Sequence, residues 1–403
     1  MGVEYSRFLE IKEQKFFDIN GVIANQTNKT NKNGKPYWVL RIATEKYGSF
    51  FTTTFEDLRE DLAGLETKLV IITDKIGFWD FMRGFYAPSF KISLLPSIIA
   101  AEKNGAYDGA IAYIADQHSD SYMRELFPAI FFASPQSAEL RLAVTKYAAA
   151  HLIALSGMHL GILSLVLGAA IGFPYRLLQA RFFPWRNAFF DLGAVSIVVF
   201  GFYLIFTGMV PSLIRAYAMY LFGLFLFARH FRVLSFETLL IVSILLIAFA
   251  PRMIFSVGFL LSVAGVFYIF LYLRYFGEQS KIKTAIGISV YVFTAMLPIV
   301  HYYFPITAHT QLLSPILTLI YTPFYIIEIV LHLIGFGNLL DPLLIPAIEL
   351  KVPQWDFRVP LWICLSYIAL SIAAIFHRYI HYVFIVTLIF WLFWQYLLAP
   401  FWL

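Results

Sequence analysis

Residues His151 to Leu163 read HLIALSGMHLGIL and open an apolar run that continues to Phe173. Two histidines, a serine and a glycine fall within nine residues of sequence otherwise fit for a bilayer. A helix needs about 20 apolar residues to cross a bilayer core. Polar and ionisable groups at that depth are costly, so His151, Ser156 and His159 read first as functional. Gly157 interrupts the run where the backbone can bend or be approached closely. The plainer alternative places both histidines at the water interface, where they cap a helix.

Composition agrees with a membrane reading. Of 403 residues 60% are hydrophobic and only 14% charged, against about 25% charged in a soluble domain. The apolar excess follows residue 144. Candidate spans are 157–174, 189–208, 211–229, 236–250, 253–275, 282–301, 309–336, 359–376 and 382–399. The seventh contains Pro315 and Pro323 and is expected to be two half-helices that enter and leave on one side, because broken helices are tolerated where they line a cavity. The fold class is therefore a polytopic α-helical membrane protein, with residues 144–403 as its transmembrane module of eight or nine helices. The single Cys364 excludes a disulfide framework and a cysteine-based zinc site. Met1 to Asn20 has charges of both signs and no apolar core of the length a signal peptide requires.

Residues 1–80 differ in kind. Phe16 to Ala24, Tyr37 to Thr44, Ser49 to Thr54 and Lys68 to Thr73 are short runs rich in β-branched and aromatic residues, with the basic, turn-forming NQTNKTNKNGKP between the first two. Such a pattern predicts a small all-β OB-like domain. An OB barrel binds single strands by stacking bases on aromatics beside a basic groove. Tyr37, Trp38, Phe50 and Phe51 with Lys29, Lys32, Lys35 and Arg41 are the candidates; alternation along a strand sends half of the aromatics into the core instead. Residues 81–143 form a linking region. Its part 85–101, with Pro88, Lys91 and Pro96, is expected to be interfacial or re-entrant, and its remainder soluble, with amphipathic helices over Ala106 to Asp116 and Ala138 to Ala149.

Orientation follows from lysine and arginine in short loops. The loops 175–188 (Arg176, Arg181, Arg186), 229–235 (Arg229, Arg232) and 274–283 (Arg274, Lys281, Lys283) mark the cytoplasmic side. The alternate loops at 208–210 and 302–308 have no lysine or arginine, and 251–252 has only Arg252. Residues 102–143 then lie outside, as does 337–358 if the seventh segment is a re-entrant hairpin.

The wording of the opening stretch resembles the H-L-L-A-I-S-G-L-H-V signature of the ComEC family of competence DNA channels. Two later stretches are similar to that family's elements: Pro211-Ser212-Leu213-Ile214-Arg215-Ala216, and Phe255-Ser256-Val257-Gly258-Phe259-Leu260-Leu261-Ser262, where Leu260 replaces a family glutamine. The resemblance is good over about residues 100–310, loose over the OB-like region and weak over the last helices. It implies an inner-membrane channel that passes single-stranded DNA into the cytoplasm during natural transformation, served by a periplasmic DNA receptor and a cytoplasmic helicase or ATPase, with no cofactor and no catalysis of its own. Under it, His151, Ser156, Gly157, His159, Arg215 and Ser262 line the DNA path, and Lys32, Lys35, Tyr37 and Trp38 bind DNA on the OB-like domain. The family places membrane helices before its OB domain, whereas this chain starts just before the OB-like strands. Either the start is shortened, or residues 85–101 span and the OB-like domain is cytoplasmic. No H-x-H-x-D-H motif of the family's nuclease domain occurs, so another chain is expected to supply any nuclease.

Arg215 is physically the most telling of these residues. A central arginine costs about 2.5–3.5 kcal/mol on insertion scales, less near an interface. It either snorkels to that interface or faces a polar path where phosphate pairs with it bidentately. Two other functions compete. Ser156 and His159, three apart, can share a helical face and serve a rhomboid-like intramembrane serine hydrolase, although the rhomboid G-x-S-G is here A-L-S-G. A small-solute transporter would use a broken helix at Pro315 to Pro323. A metal site is disfavoured, since His151 and His159 lie about 80° apart around a helix with no carboxylate between them.

Overall fold

The computed structural model describes residues 2–30, 35–44, 46–54, 62, 65–94, 105–229 and 235–398. Two compact units emerge: residues 1–108 with 247–256, and residues 109–246 with 257–403.

The first unit is built on one long strand. After α1 (Gly2–Lys12), β1 (Phe16–Thr30) pairs antiparallel with β2 (Pro36–Thr44) along its second half and with β4 (Glu66–Ile72) along its first. β3 (Gly48–Thr54) adds to β2, and β5 (Ser89–Leu94) to β4, so the order is β3-β2-β1-β4-β5. The two outer strands approach each other. Phe51 and Tyr86 form a parallel bridge, and Phe51 N–H donates to Phe85 O at 2.8 Å while Ala87 N–H donates to Phe51 O at 2.9 Å. Curvature comes from a bulge in β1 between Ile23 and Asn25, and from Gly21, where a Cβ would stand 2.5 Å from Ile42 Cγ2. Alternate residues fill the core: Ile19, Ile23, Leu40, Ile42, Phe50, Leu69 and Ile71. Phe8 and Ile11 of α1 and Phe81 of α2 (Phe78–Arg83) close it. Arg252 lies 4.4 Å from the Phe81 ring centroid and pairs with Glu4 at 2.8 Å.

Two expectations change here. The polar tract from Gln26 to Thr30 continues β1 rather than forming a turn, because each of its residues has a partner on β2. The segment 85–101 joins the β domain where it is described: residues 89–94 form a strand that pairs with β4, and residues 95–101 lie outside the described residues.

The second unit is helical. α3 (Gly105–Ala115), α4 (Ser121–Phe132), α5 (Ala138–Thr145) and α6 (Ala150–Ile153) precede the spans. The helix expected over 138–149 ends early, with Ala148 at φ +51° between α5 and α6. Then come α7 (Gly157–Phe182), α8 (Ala188–Phe206), α9 (Pro211–Ala228), α10 (Phe236–Phe249), α11 (Val257–Phe276) and α12 (Lys281–Tyr303). The two-residue β6 (Ile306–Thr307), α13 (Ser314–Leu333), α14 (Asp341–Glu349), β7 (Trp355–Asp356), α15 (Leu361–Ala373) and α16 (Arg378–Phe393) complete it. Among the described residues six helices are long and apolar enough to cross a bilayer, one of them His309–Leu333, while α9, α10 and α15 are shorter apolar helices. The chain is thus a polytopic helical membrane protein with an N-terminal β domain. Phe173, Phe202 and Phe249 stand exposed along these helices, and Trp185, Trp362 and Tyr379 lie at helix ends, where interfacial aromatics belong.

The seventh apolar segment breaks elsewhere than expected. α13 runs unbroken through Pro323, and Pro315 sits in its first turn, where a missing N–H costs nothing. The chain turns instead at Gly335, φ +81°, and at a short 3-10 turn over Gly337–Leu340, from which α14 returns. Ile306 pairs with Asp356 and Thr307 with Trp355, and Lys146 joins both ends: its Nζ donates to Leu350 O at 2.7 Å and its carbonyl accepts from Thr310 Oγ1. A hairpin that leaves and returns at one end is therefore present, with its apex at glycines.

Candidate functional site

Ser156 is the N-cap of α7, its backbone extended at φ −142°. Its N–H donates to His159 Nδ1 at 3.3 Å, and its Oγ lies 3.2 Å from the same nitrogen. This is a capping box with histidine in the place usually held by glutamate or glutamine. A backbone N–H can only donate, so Nδ1 is the acceptor and the neutral ring carries its hydrogen on Nε2. Nε2 then donates to Tyr321 Oη at 2.7 Å. His159 is 0% exposed, and the Tyr325 ring meets it edge-on at 5.2 Å. His151 is exposed and reaches α13 at another point, with Nε2 3.2 Å from Thr318 Oγ1 and Nδ1 2.9 Å from Ala148 O. His159 thus fastens the start of α7 to α13, and His151 fastens the preceding α6 to it. Gly157 answers neither need named for it: a Cβ there meets no heavy atom within 4 Å. The chain breaks just before it, at Ala154 to Ser156.

Arg215 lies in the second turn of α9, half-buried. Leu213 and Ala216 on either side of it pack with Leu155 and Leu160 around α7, together with Phe200 and Leu204 of α8. Its Nε is buried and has no hydrogen-bond partner. α9 also packs against α11, where Ser262 is exposed. The first two motif stretches therefore share a core, while Ser262 stands outside it.

On the β domain, Lys32 lies outside the described residues and Lys35 is exposed at the start of β2. Trp38 is half-buried and faces the buried Thr54 across the ladder, in register with Leu40 and Ile42 of the core. Tyr37 has the opposite parity, that of Arg41. Arg41 is paired across the ladder with Phe51, and its guanidinium lies 5.9 Å from that ring. Phe51 is 39% and Tyr86 53% exposed, and Tyr86 Oη is 2.7 Å from Thr53 Oγ1. The outward aromatic surface is thus Tyr37, Phe51 and Tyr86 beside Arg41. Sequence reading missed Tyr86, which sits between short elements with no alternation to flag it.

It also missed a buried cluster of His118, His332, Glu328 and Asp341. Among the described residues no group of three or more histidine, cysteine or acidic side chains has the geometry to hold a metal ion.

A family model described as Competence protein matches residues 134–402. The match takes in all three motif stretches. No curated protein and no solved structure matches the chain.

Proposed function

The chain belongs to the competence protein family, and from this premise we propose that it passes single-stranded DNA through the bacterial inner membrane into the cytoplasm during natural transformation. The observation that supports this most is the buried, unpartnered Nε of Arg215. A buried polar group without a partner costs about 1–3 kcal/mol, more when charged. Such a cost is offset when an external acceptor arrives, and a phosphate oxygen suits a guanidinium fork. The β domain supports the same use: five strands whose outer members meet in a parallel contact suit a small OB-like barrel, a fold whose strand 2–3 face takes oligonucleotides. A periplasmic receptor would deliver the strand and a cytoplasmic helicase or ATPase would draw it.

The test is Arg215→Lys and Arg215→Gln. A snorkelling anchor tolerates lysine; a bidentate phosphate contact does not. Transformation falls in both variants at normal protein level if the reading holds. Wild-type transformation in the glutamine variant would remove Arg215 from the path.

The 3.2 Å contact between Ser156 Oγ and His159 favours one second reading, an intramembrane serine hydrolase. There Ser156→Ala abolishes peptide cleavage and leaves DNA uptake intact.

A further inference from the structure

The loop between α10 and α11 belongs to the same unit as the β domain, and an open row of aromatic rings leads away from it. Residues Pro251–Phe255 form a 3-10 turn that packs on α2. The Trp79 ring of α2 meets the Phe255 ring edge-on at 6.4 Å. Phe78 lies 5.6 Å from Trp79, and Tyr5 of α1 meets Phe78 edge-on at 5.5 Å. The inward side of the same two helices is already engaged, since Phe8, Ile11 and Phe81 close the β core. Trp79 nevertheless stands 57% exposed, Tyr5 52% and Ile254 45%. The row from Tyr5 to Ile254 is apolar surface that its own unit leaves uncovered.

What covers it follows from the connection of the chain. α11 is long and apolar enough to cross a bilayer, and α10 is a shorter apolar helix. Phe249, the last residue of α10, is 81% exposed, and Val257 begins α11. A 3-10 turn rises about 2 Å per residue, so the loop keeps Ile254 and Phe255 within about 10 Å of both helix ends. The polar layer on each face of a bilayer has a comparable depth. Tryptophan and tyrosine gather at that level, because an apolar ring with a polar tip suits it.

We infer that the Tyr5–Trp79 edge of the β domain rests in the headgroup layer of the membrane, and that a phospholipid surface is the partner this patch binds. Arg83, one turn after Trp79 on α2, holds its guanidinium 5.3 Å from the Phe255 ring centroid. A stem lying along apolar surface with its charge at phosphate level is the usual place of an interfacial arginine. Asp80 is about 100° round the helix from Trp79, so the acid of α2 is carried off the row. Arg252 fixes the row relative to the loop. Its Nε donates to Glu4 Oε2 at 2.9 Å, its guanidinium lies over Phe81, and Gly48 leaves the space that it fills. One arginine between two apolar helices thus grips α1, α2 and the start of β3 together. The inference rests on the membrane fold and not on what the helices carry.

The test is spin labelling of the full chain in nanodiscs of phosphatidylcholine and phosphatidylglycerol, in a Cys364→Ala background. Nitroxides at Tyr5→Cys and Trp79→Cys are compared with one at Lys35→Cys. Lys35 is exposed, and about 30 Å of β2 separates it from Thr44, which pairs with Gly48 beside Arg252. Collisions with oxygen, which concentrates in lipid, should rise at positions 5 and 79 relative to position 35, and collisions with a water-soluble nickel chelate should fall. The emission that Trp79→Phe removes should be quenched by lipids brominated on the acyl chain near the headgroup, a readout that needs no label. Accessibility at positions 5 and 79 equal to that at position 35 would overturn the proposal, as would Trp79 emission that brominated lipid leaves unchanged. So would shielding from both probes with dipolar broadening between labels, the mark of a second copy of the chain on this edge.

Discussion

Tyr321→Phe removes one oxygen and tests how the signature stretch is held. The ring stays, so packing on Tyr325 and Phe324 is kept. What is lost is the acceptor for His159 Nε2–H, 2.7 Å away and fully buried. A buried donor left unpaired costs about 1–3 kcal/mol. His159→Leu removes the other partner, strands the Tyr321 hydroxyl and deletes half of the capping box, adding about 0.5–2 kcal/mol for the cap. The double variant leaves no stranded group between the two positions, so the pair should couple by about 1–3 kcal/mol. The assay is reversible urea unfolding in mixed micelles, as a four-member cycle. Effects that add within about 0.5 kcal/mol would mean the two residues do not interact, and the account of His159 as a fixed, Nε2-protonated strut would be wrong.

Phe51→Ala and Tyr86→Ala should each weaken single-stranded DNA binding by the full chain by about 1–3 kcal/mol, while Trp38→Ala acts mainly on stability; equal affinity in all three would discard the stacking surface. The Lys46 hydrogen bond, joined by that of Tyr47, holds the Glu10 carboxyl below its usual range. A lowered carboxylate pKa contributes stability that is present above the unfolded-state value and lost as pH falls through the folded one. The acid limb of thermal melting should therefore flatten in Glu10→Gln, and an unchanged limb counts against the contact. With loops 175–188 and 274–283 facing the cytoplasm, cysteines at Asn187 or Gln279 in a Cys364→Ala background should resist impermeant label applied from outside; labelling there would reverse the topology.

The β strands were legible because short runs rich in β-branched and aromatic residues are bounded by turn formers; which of their residues face the core, among them Ile19, Leu40, Ile42, Phe50, Leu69 and Ile71, was not. The tail of β1 was not, since asparagine, lysine and threonine read as turn formers until a partner strand satisfies their backbone. The apolar runs located the helices, although the first runs on to Phe182 and three of the nine expected spans are shorter apolar helices among the described residues. The two half-helices expected in the seventh are one continuous helix instead, because Pro315 and Pro323, the stronger breakers on paper, are both accommodated in α13 and the chain turns only beyond it. The His118 cluster left no trace in the sequence. Its partners lie 214 and 223 residues away, and no local spacing encodes a contact of that range.

Several cations of the helical unit are already engaged, whereas Arg215 holds a buried Nε without a hydrogen-bond partner. Arg124 pairs with Asp116, and Arg186 with Asp191. Arg378 donates to Tyr382 Oη at 2.7 Å. Lys146, whose charged form burial disfavours, is committed to the carbonyls of Ile348 and Leu350. A polyanion crossing a bilayer needs contacts that are favourable enough to admit it and weak enough to let it go. A path lined by many free arginines would bind phosphates cumulatively and hold the strand. Under the proposed function, one half-buried guanidinium with an open Nε, on a helix whose Leu213 and Ala216 pack with Leu155 and Leu160 beside the Ser156–His159 cap, would meet that requirement differently. It would offer one point of phosphate contact beside a capped helix start, and leave passage to hydroxyls and aromatics that do not retain the strand.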